Sequence, residues 1–382
     1  MPTVRRSTFV GFAAAMVMFA PLWNPGVAAA ASSAQGSDFS LAAVSCAQPS
    51  SCMAVGDYVE SSGAIVPLSE RFNGATWSSM SIRGPRFSGL SAVWCSRAFR
   101  CMAVGYSRYA PFSETWNGTA WSQVSVPAPA GQTDSDLLSL SCTSLTSCSA
   151  VGYYLNQAST WLTLAARWNG SSWSLTDTPN PAGVTGSELE GVGCTTSSDC
   201  VAVGYSFNSK GNSHTLIERW NGSRWGIVAS PNGANGSEDV LNAVSCVTGT
   251  DCTAVGDYFG LSARTIPLIE DWNGHVWTDS AVAGVSGQFE GISCTKQSTC
   301  MAVGGASDGT FTEARTHGAW KRVTSPNPKY GGKSAILSGI SCRTFSSCAA
   351  VGSYTGVSSD TTYNLGEIWN GAEWKLTPTP NL

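Results

Sequence analysis

The sequence predicts an all-β protein, a seven-bladed β-propeller with four antiparallel strands and one disulfide in each blade. Three observations predict it. Fourteen cysteines fall into seven pairs of identical Cys-x5-Cys spacing. Their first members recur every 47 to 52 residues, a period that marks propellers or solenoids. Each period holds four short apolar runs, and none reads as a long amphipathic helix.

The elements follow in chain order. Arg5 and Arg6 precede an apolar run from Phe9 to Leu22, then Pro25 and Ala28 to Ala31, so residues 1–31 read as an export signal. The paired arginines raise a twin-arginine route, but Phe9 sits one place too far along, which favours the general secretory route. The run is short of the ~20 apolar residues of a membrane span, and no other stretch comes close. The expected location is therefore secreted, at the exterior of a bacterial cell. Residues 32–40 form a short polar segment, and 41–382 form the propeller, with blades starting near 41, 90, 137, 189, 241, 289 and 337.

Within a copy, the first strand ends on a cysteine, as in Leu41 to Cys46. A five-residue polar turn leads to the second strand, as in Cys52-Met-Ala-Val-Gly56, and the third alternates, as in Leu216-Ile-Glu-Arg-Trp220. Asn-Gly then predicts a tight type I′ hairpin before a fourth strand that opens on Trp, as in Trp220-Asn-Gly-Ser-Arg-Trp225. Proline-rich linkers such as Pro179-Asn-Pro181 lead onward.

The pairs are Cys46 with Cys52, Cys95 with Cys101, Cys142 with Cys148, Cys194 with Cys200, Cys246 with Cys252, Cys294 with Cys300 and Cys342 with Cys348. In an exported chain they read as staples between the first two strands, each contributing roughly 2 kcal/mol by loop entropy. Zinc is the rival, but it wants shorter spacing and further ligands, and His214, His275 and His317 lie outside the repeat.

The run Ala-Val-Gly, variable loop, Glu-x-Trp, turn, Trp resembles the kelch-type blade over residues 41 to 380. Two features depart from it: only Gly304-Gly305 keeps the double glycine, and the cysteine pair is extra. The sequence is more similar to secreted bacterial propellers of Cys-x5-Cys-x-Ala-Val-Gly type, a group that implies no specific activity.

What all copies share reads as scaffold. The third-strand Trp recurs in five copies, with Phe72 and Arg315 in the others, and fits the space between blades. Glu70, Glu114, Glu218, Glu270, Glu313 and Glu367 lie two residues earlier in separate blades, where they are expected to bond backbone or a neighbouring Arg. The small residues Ala43, Ala92, Ser139, Gly191, Ala243, Gly291 and Gly339 suit crowded inner strands.

What differs between copies lies on one face, where the second-to-third strand loops and the blade linkers meet. The stapled turns and Asn-Gly hairpins share the other face, which reads as uniform. On the variable face, Trp161, Tyr109, Phe207, Phe259 and Tyr363 are the binding candidates. Asp134, Asp136, Glu188, Glu190, Glu238, Asp239 and Glu290 form an acidic set near the channel mouth. It reads as a solvated rim, with a structural Ca²⁺ ion as the alternative; no other cofactor is expected.

Net charge is −4 without a basic stripe, which argues against nucleic acid. No nucleophile elbow, phosphate loop, zinc motif or spaced acid pair is found. The expected function is non-catalytic binding of a glycan or an extracellular protein by a monomer. The alternative is a carbohydrate-active enzyme, a glycoside hydrolase or polysaccharide lyase, using Glu190 and Glu290.

Overall fold

The computed structural model describes residues 36–381, except 234–237, 261–263, 281, 283–285, 317, 330–333 and 358–360. The export-signal reading of residues 1–31 and His317 lie outside that range. All regular structure among the described residues is strand: twenty-eight strands in seven consecutive antiparallel sets of four. Blade 4 is typical, running outward from the axis through Gly186–Thr196, Asp199–Phe207, Ser213–Trp220 and Trp225–Val228. Blades 3 and 4 are additionally joined by a parallel bridge between Trp161 and Gly186.

The core lies between blades. Val151 and Ala165 of blade 3, for example, pack with Leu189, Val192, Trp220 and Trp225 of blade 4. Inner strands approach so closely that a Cβ on Gly191 would lie 2.9 Å from the Ala243 Cα, which explains the small residues there.

Blade 1 begins earlier than the sequence indicated. Its inner strand is Ser37–Gln48, so the segment 32–40 contributes a paired end, Ser37 opposite Val59 and Ser40 opposite Asp57. Polar composition hid this pairing. Phe39 is buried and stacks on Tyr58, while the Thr362 amide of blade 7 donates to the Asp38 carboxylate at 3.2 Å.

The glycine ending each Ala-Val-Gly has one physical reason. A Cβ on Gly56, Gly105, Gly152, Gly204, Gly256, Gly304 or Gly352 would lie 1.9–2.2 Å from a carbonyl oxygen of the inner strand. The inner strand presses in there because it carries a β-bulge in every blade. The extra residue is Ala42, Ser91, Leu138, Glu190, Asn242, Glu290 or Ser338. All seven are half-buried on the innermost strand, so they form a ring around the axis.

Each cysteine pair is bonded and joins directly opposed residues of the first two strands, with Cα atoms 3.9–4.1 Å apart. The bonds are Cys46 to Cys52, Cys95 to Cys101, Cys142 to Cys148, Cys194 to Cys200, Cys246 to Cys252, Cys294 to Cys300 and Cys342 to Cys348. The second member of every pair is buried. Cys101 packs with Phe112 and Trp116, Cys300 with Phe289 and Phe311, and Cys348 with Trp369 and Trp374. The staples therefore also fill the core between blades.

The Asn-Gly hairpins form, but not as type I′ turns. Four residues separate Phe72 from Trp77 and likewise each Trp pair, too many for a two-residue loop. Only the glycine takes positive φ, 94° to 101°. The asparagine caps the turn instead, its side-chain oxygen accepting from backbone N–H groups two and three residues on, at 2.9–3.0 Å.

Hydrogen bonds stitch each blade to the one before. The serine preceding the first cysteine accepts from that cysteine's counterpart in the next blade: Cys95 N–H to Ser45, Cys194 to Ser141, Cys294 to Ser245, Cys342 to Ser293 and Cys46 to Ser341, at 2.9–3.1 Å. Fourth-strand indoles donate backwards, Trp121 to Ser69 and Trp173 to Ser113, each at 3.0 Å. Linker asparagines Asn180, Asn232, Asn327 and Asn381 accept from the third-strand backbone at 2.9–3.1 Å.

Three of the six repeated glutamates bond side chains of the preceding blade rather than backbone, while both carboxylate oxygens of Glu218 are buried without a hydrogen bond among the described residues. Glu70 accepts from Asn364 at 2.7 Å, Glu270 from Ser230 at 2.7 Å and Glu367 from Ser325 at 2.6 Å. Burial raises Glu70, Glu218 and Glu367 to about 8, and Glu114 and Glu270 to about 7.

Arg315, the odd residue at the third-strand aromatic site, has its own logic. In blades 3 and 4, Arg167 and Arg219 lie over Trp220 and Trp272 of the next blade, 4.5 and 5.6 Å from the ring centroids. Where Trp becomes Arg315, the preceding blade carries Asp271 instead of Arg, and the two pair at 2.7 Å.

The ring closes between whole blades. Blade 1 meets blade 7 through Cys46 to Ser341, Trp77 to Thr377 at 3.0 Å and Asn364 to Glu70, with no exchanged strand among the described residues.

The turn face is not uniform, contrary to the sequence expectation. Trp94 and Gly193 occupy two of the seven serine positions, and Arg97, Arg100 and Arg343 project from the turns of blades 2 and 7 as exposed side chains. Identical spacing of the turns conceals what their side chains offer.

Candidate functional site at the channel mouth

Two rings of inequivalent residues meet where the variable loops converge. The first is the bulge ring, which includes Glu190, Asn242 and Glu290 from blades 4, 5 and 6. The second is the residue after each Ala-Val-Gly glycine: Asp57, Tyr106, Tyr153, Tyr205, Asp257, Gly305 and Ser353. A strand lets its inner end vary freely once its middle is fixed by glycine and core, so both rings are free to carry chemistry.

The acidic set divides. Burial, then Glu188, Glu290 and Asp136, push the Glu190 carboxyl well above the ordinary carboxylate range. Blade 5 separates blades 4 and 6, so Glu290 reaches Glu190 across the channel rather than along a blade boundary. Glu188 is buried and accepts from the Tyr205 hydroxyl, whose own pKa burial raises and Glu188 and Glu190 raise further. Gln288 donates to Glu290, and Asn242 donates to the Phe289 carbonyl at 2.7 Å. On the other side, Tyr106 donates to Asp57 at 2.9 Å, and burial holds Asp57 at about 6 despite that bond.

Asp239 and Glu238 lie elsewhere, against the third strand of blade 4: Asp239 sits 3.9 Å from His214, and Glu238 bridges to Ser213. Asp134 is opposite Leu155, two residues outward from Asp136. Among the described residues, no three carboxylate, His or Cys side chains converge as metal ligands would, and no calcium site is proposed. The cysteines take no part in the site. All fourteen are held in disulfides, and Cys101, Cys300 and Cys348 are 2%, 1% and 3% exposed within clusters that include aromatic rings of their own blades.

The aromatic candidates divide too. Trp161 lies 4.5 Å from Tyr153 between ring centroids, and Phe207 lies 6.4 Å from Tyr205. Tyr153, like Glu188 and Glu190, is among the groups that raise Tyr205, which links the two ring pairs of blades 3 and 4. The other three stay apart. Tyr109 is 66% exposed on a short loop, Phe259 faces Thr265 in its own hairpin, and Tyr363 stacks on Tyr354.

Sequence reasoning named Glu188, Glu190, Glu290, Asp136, Trp161 and Phe207. It missed Asp57, Tyr106, Tyr153, Tyr205 and Asn242. The signal for the tyrosines was present, one residue past an otherwise constant glycine.

Chemically, the mouth offers carboxyl groups, phenols and an amide beside an indole. That set matches a ligand with many hydroxyls.

No family model matches the chain, and no curated protein matches it in sequence. Among solved structures, the chain is similar to the BP39L lectin from Burkholderia pseudomallei, with a TM-score of 0.57 and 12% identity over 91% of this chain and 100% of that one. It is also similar to a protein of unknown function from Dyadobacter fermentans, with a TM-score of 0.52 and 10% identity over 87% of this chain and 94% of the other. A third likeness is to YCF48 bound to D1 peptide, with a TM-score of 0.50 and 14% identity over 91% and 93%. At these identities the likeness shows the β-propeller fold alone. Among the described residues, no helix is long and apolar enough to cross a membrane.

Proposed function

We propose that the protein is a secreted, monomeric bacterial binding propeller that recognises a glycan at the loop-face mouth of its channel without transforming it. One observation carries this reading: Glu188, Glu190, Glu290 and Tyr205 converge beside Tyr153 and Trp161. Trp161 supplies a face for a sugar ring, and the carboxyl groups take its hydroxyls. The likeness to a lectin supports it as an analogy of fold.

A glycan array tests it, followed by titration of hits against Trp161→Ala and Glu190→Gln. Each variant is expected to weaken binding about tenfold, the loss of one good contact. Absence of any glycan hit, or affinities untouched by both substitutions, sinks the reading in favour of a protein partner. Product analysis of the same mixtures checks the hydrolytic alternative through Glu190 and Glu290.

A further inference from the structure

At the opposite mouth, a cavity of about 420 Å³ is lined by Trp94, Ser96, Arg97, Thr143, Leu145 and Arg343. That volume lies within the ~300–1,000 Å³ of small-molecule sites. Blade 1 separates blade 7 from blade 2. A cavity that touches both Arg343 and Trp94 therefore sits over the axis rather than between two neighbouring blades.

Its two cations are not used by the scaffold. Arg167 and Arg219 hold the next blade's turn carbonyls, at 2.6 and 2.9 Å, and stack on its indoles. Arg97 and Arg343 are exposed, and no described residue offers either one an ion pair. Trp94 stands where five copies carry the serine that bonds the next blade. Its indole packs against the buried cluster that includes Ala92, Met102, Cys142 and Cys148 while still lining the cavity. A scaffold bond has been replaced by an aromatic surface next to two exposed guanidiniums.

We propose that this mouth is a second binding site, for an acidic saccharide of the uronic-acid class. Arg97 and Arg343 take the carboxylate, which matches the guanidinium fork. Trp94 takes the C–H face of the sugar ring, and the Ser96 and Thr143 hydroxyls take its hydroxyl groups. The site is independent of the loop-face mouth and stands or falls without it.

Calorimetric titration of the intact protein with galacturonate and glucuronate tetrasaccharides tests the assignment, with their neutral methyl esters as controls. Binding is expected for at least one acid, to weaken about tenfold or more in its ester and in Arg97→Gln/Arg343→Gln, and to weaken with added salt. Lys375→Gln, which removes an exposed cation on the outer strand of blade 7, is expected to leave it unchanged. Both arginines are exposed, and an unaltered melting temperature confirms that the double variant is folded. The proposal is overturned if neither acid binds, if the esters bind equally well, or if the double variant keeps wild-type affinity.

Discussion

At the loop-face mouth, the residues near the axis are acids, phenols and amides that hold one another: Tyr205 on Glu188, Tyr106 on Asp57, Gln288 on Glu290. At the turn-face mouth they are hydroxyls, one indole and guanidiniums carried on turns closed by disulfides. The same inner strands supply both ends. One end is fixed covalently, so a single replacement such as Trp94 changes its surface while the backbone stays put. The other is fixed by side chains that are also the candidate site, so scaffold and recognition are coupled there.

Reduction of the seven disulfides strikes this contrast hardest. At roughly 2 kcal/mol each, their sum exceeds much of the 5–15 kcal/mol that holds a typical fold. Circular dichroism under reducing conditions is expected to show unfolding at 37 °C, with turn-face amides losing hydrogen-exchange protection first. A reduced protein with an unchanged melting curve would break the assignment of rigidity to that end.

A charge swap comes next. Asp271→Arg sets two cations against each other where Asp271 and Arg315 now pair. A loss of about 3–5 kcal/mol is expected in urea denaturation. Adding Arg315→Trp rebuilds the Arg-over-Trp contact of the neighbouring blades and should recover most of it. If the double variant is no better than the single, the repeat logic of that boundary is wrong.

The scaffold between the mouths predicts a pH dependence. Burial raises Glu70, Glu218 and Glu367 to about 8. A carboxyl raised by folding stabilises fully below its unfolded value near 4.5, and that stability is lost as pH rises through the folded value. The melting temperature should therefore fall between about pH 5 and 8, with a slope of at most ~1.4 kcal/mol per pH unit for each group. Glu218→Gln should flatten the slope. A flat wild-type profile would mean these groups stay ionised.

The smallest effect is expected at the loop-face mouth. Glu190→Gln removes the carboxyl that Glu188, Glu290 and Asp136 oppose. It should raise stability slightly near pH 8, by less than ~1 kcal/mol, with no change at pH 4. Destabilisation at both pH values would show that Glu190 serves the fold instead.

The blade, its staple and its tryptophans were legible because seven copies print the same residues at the same spacing. The turn type misled, since Asn-Gly was read apart from the two residues before the next Trp. The paired tail at Ser37–Ser40 was hidden by its polar composition, and its bond from Thr362 to Asp38 spans 324 residues. The bulge ring was hidden because Ala42, Leu138 and Glu190 share no chemistry; they share only a place four residues before the first cysteine. Trp94 and Arg343 lie nearly 250 residues apart and meet only after the ring closes.

The bulges have a consequence for how such a channel changes over time. In each blade the glycine, the staple and the core set the backbone, and one half-buried residue is left facing the axis. A substitution there alters the bore without re-laying a strand. The seven positions spell a short code, now reading Ala, Ser, Leu, Glu, Asn, Glu, Ser around the ring, with Glu190 and Glu290 coupled through their charge. Protein engineers can rewrite that code one letter at a time.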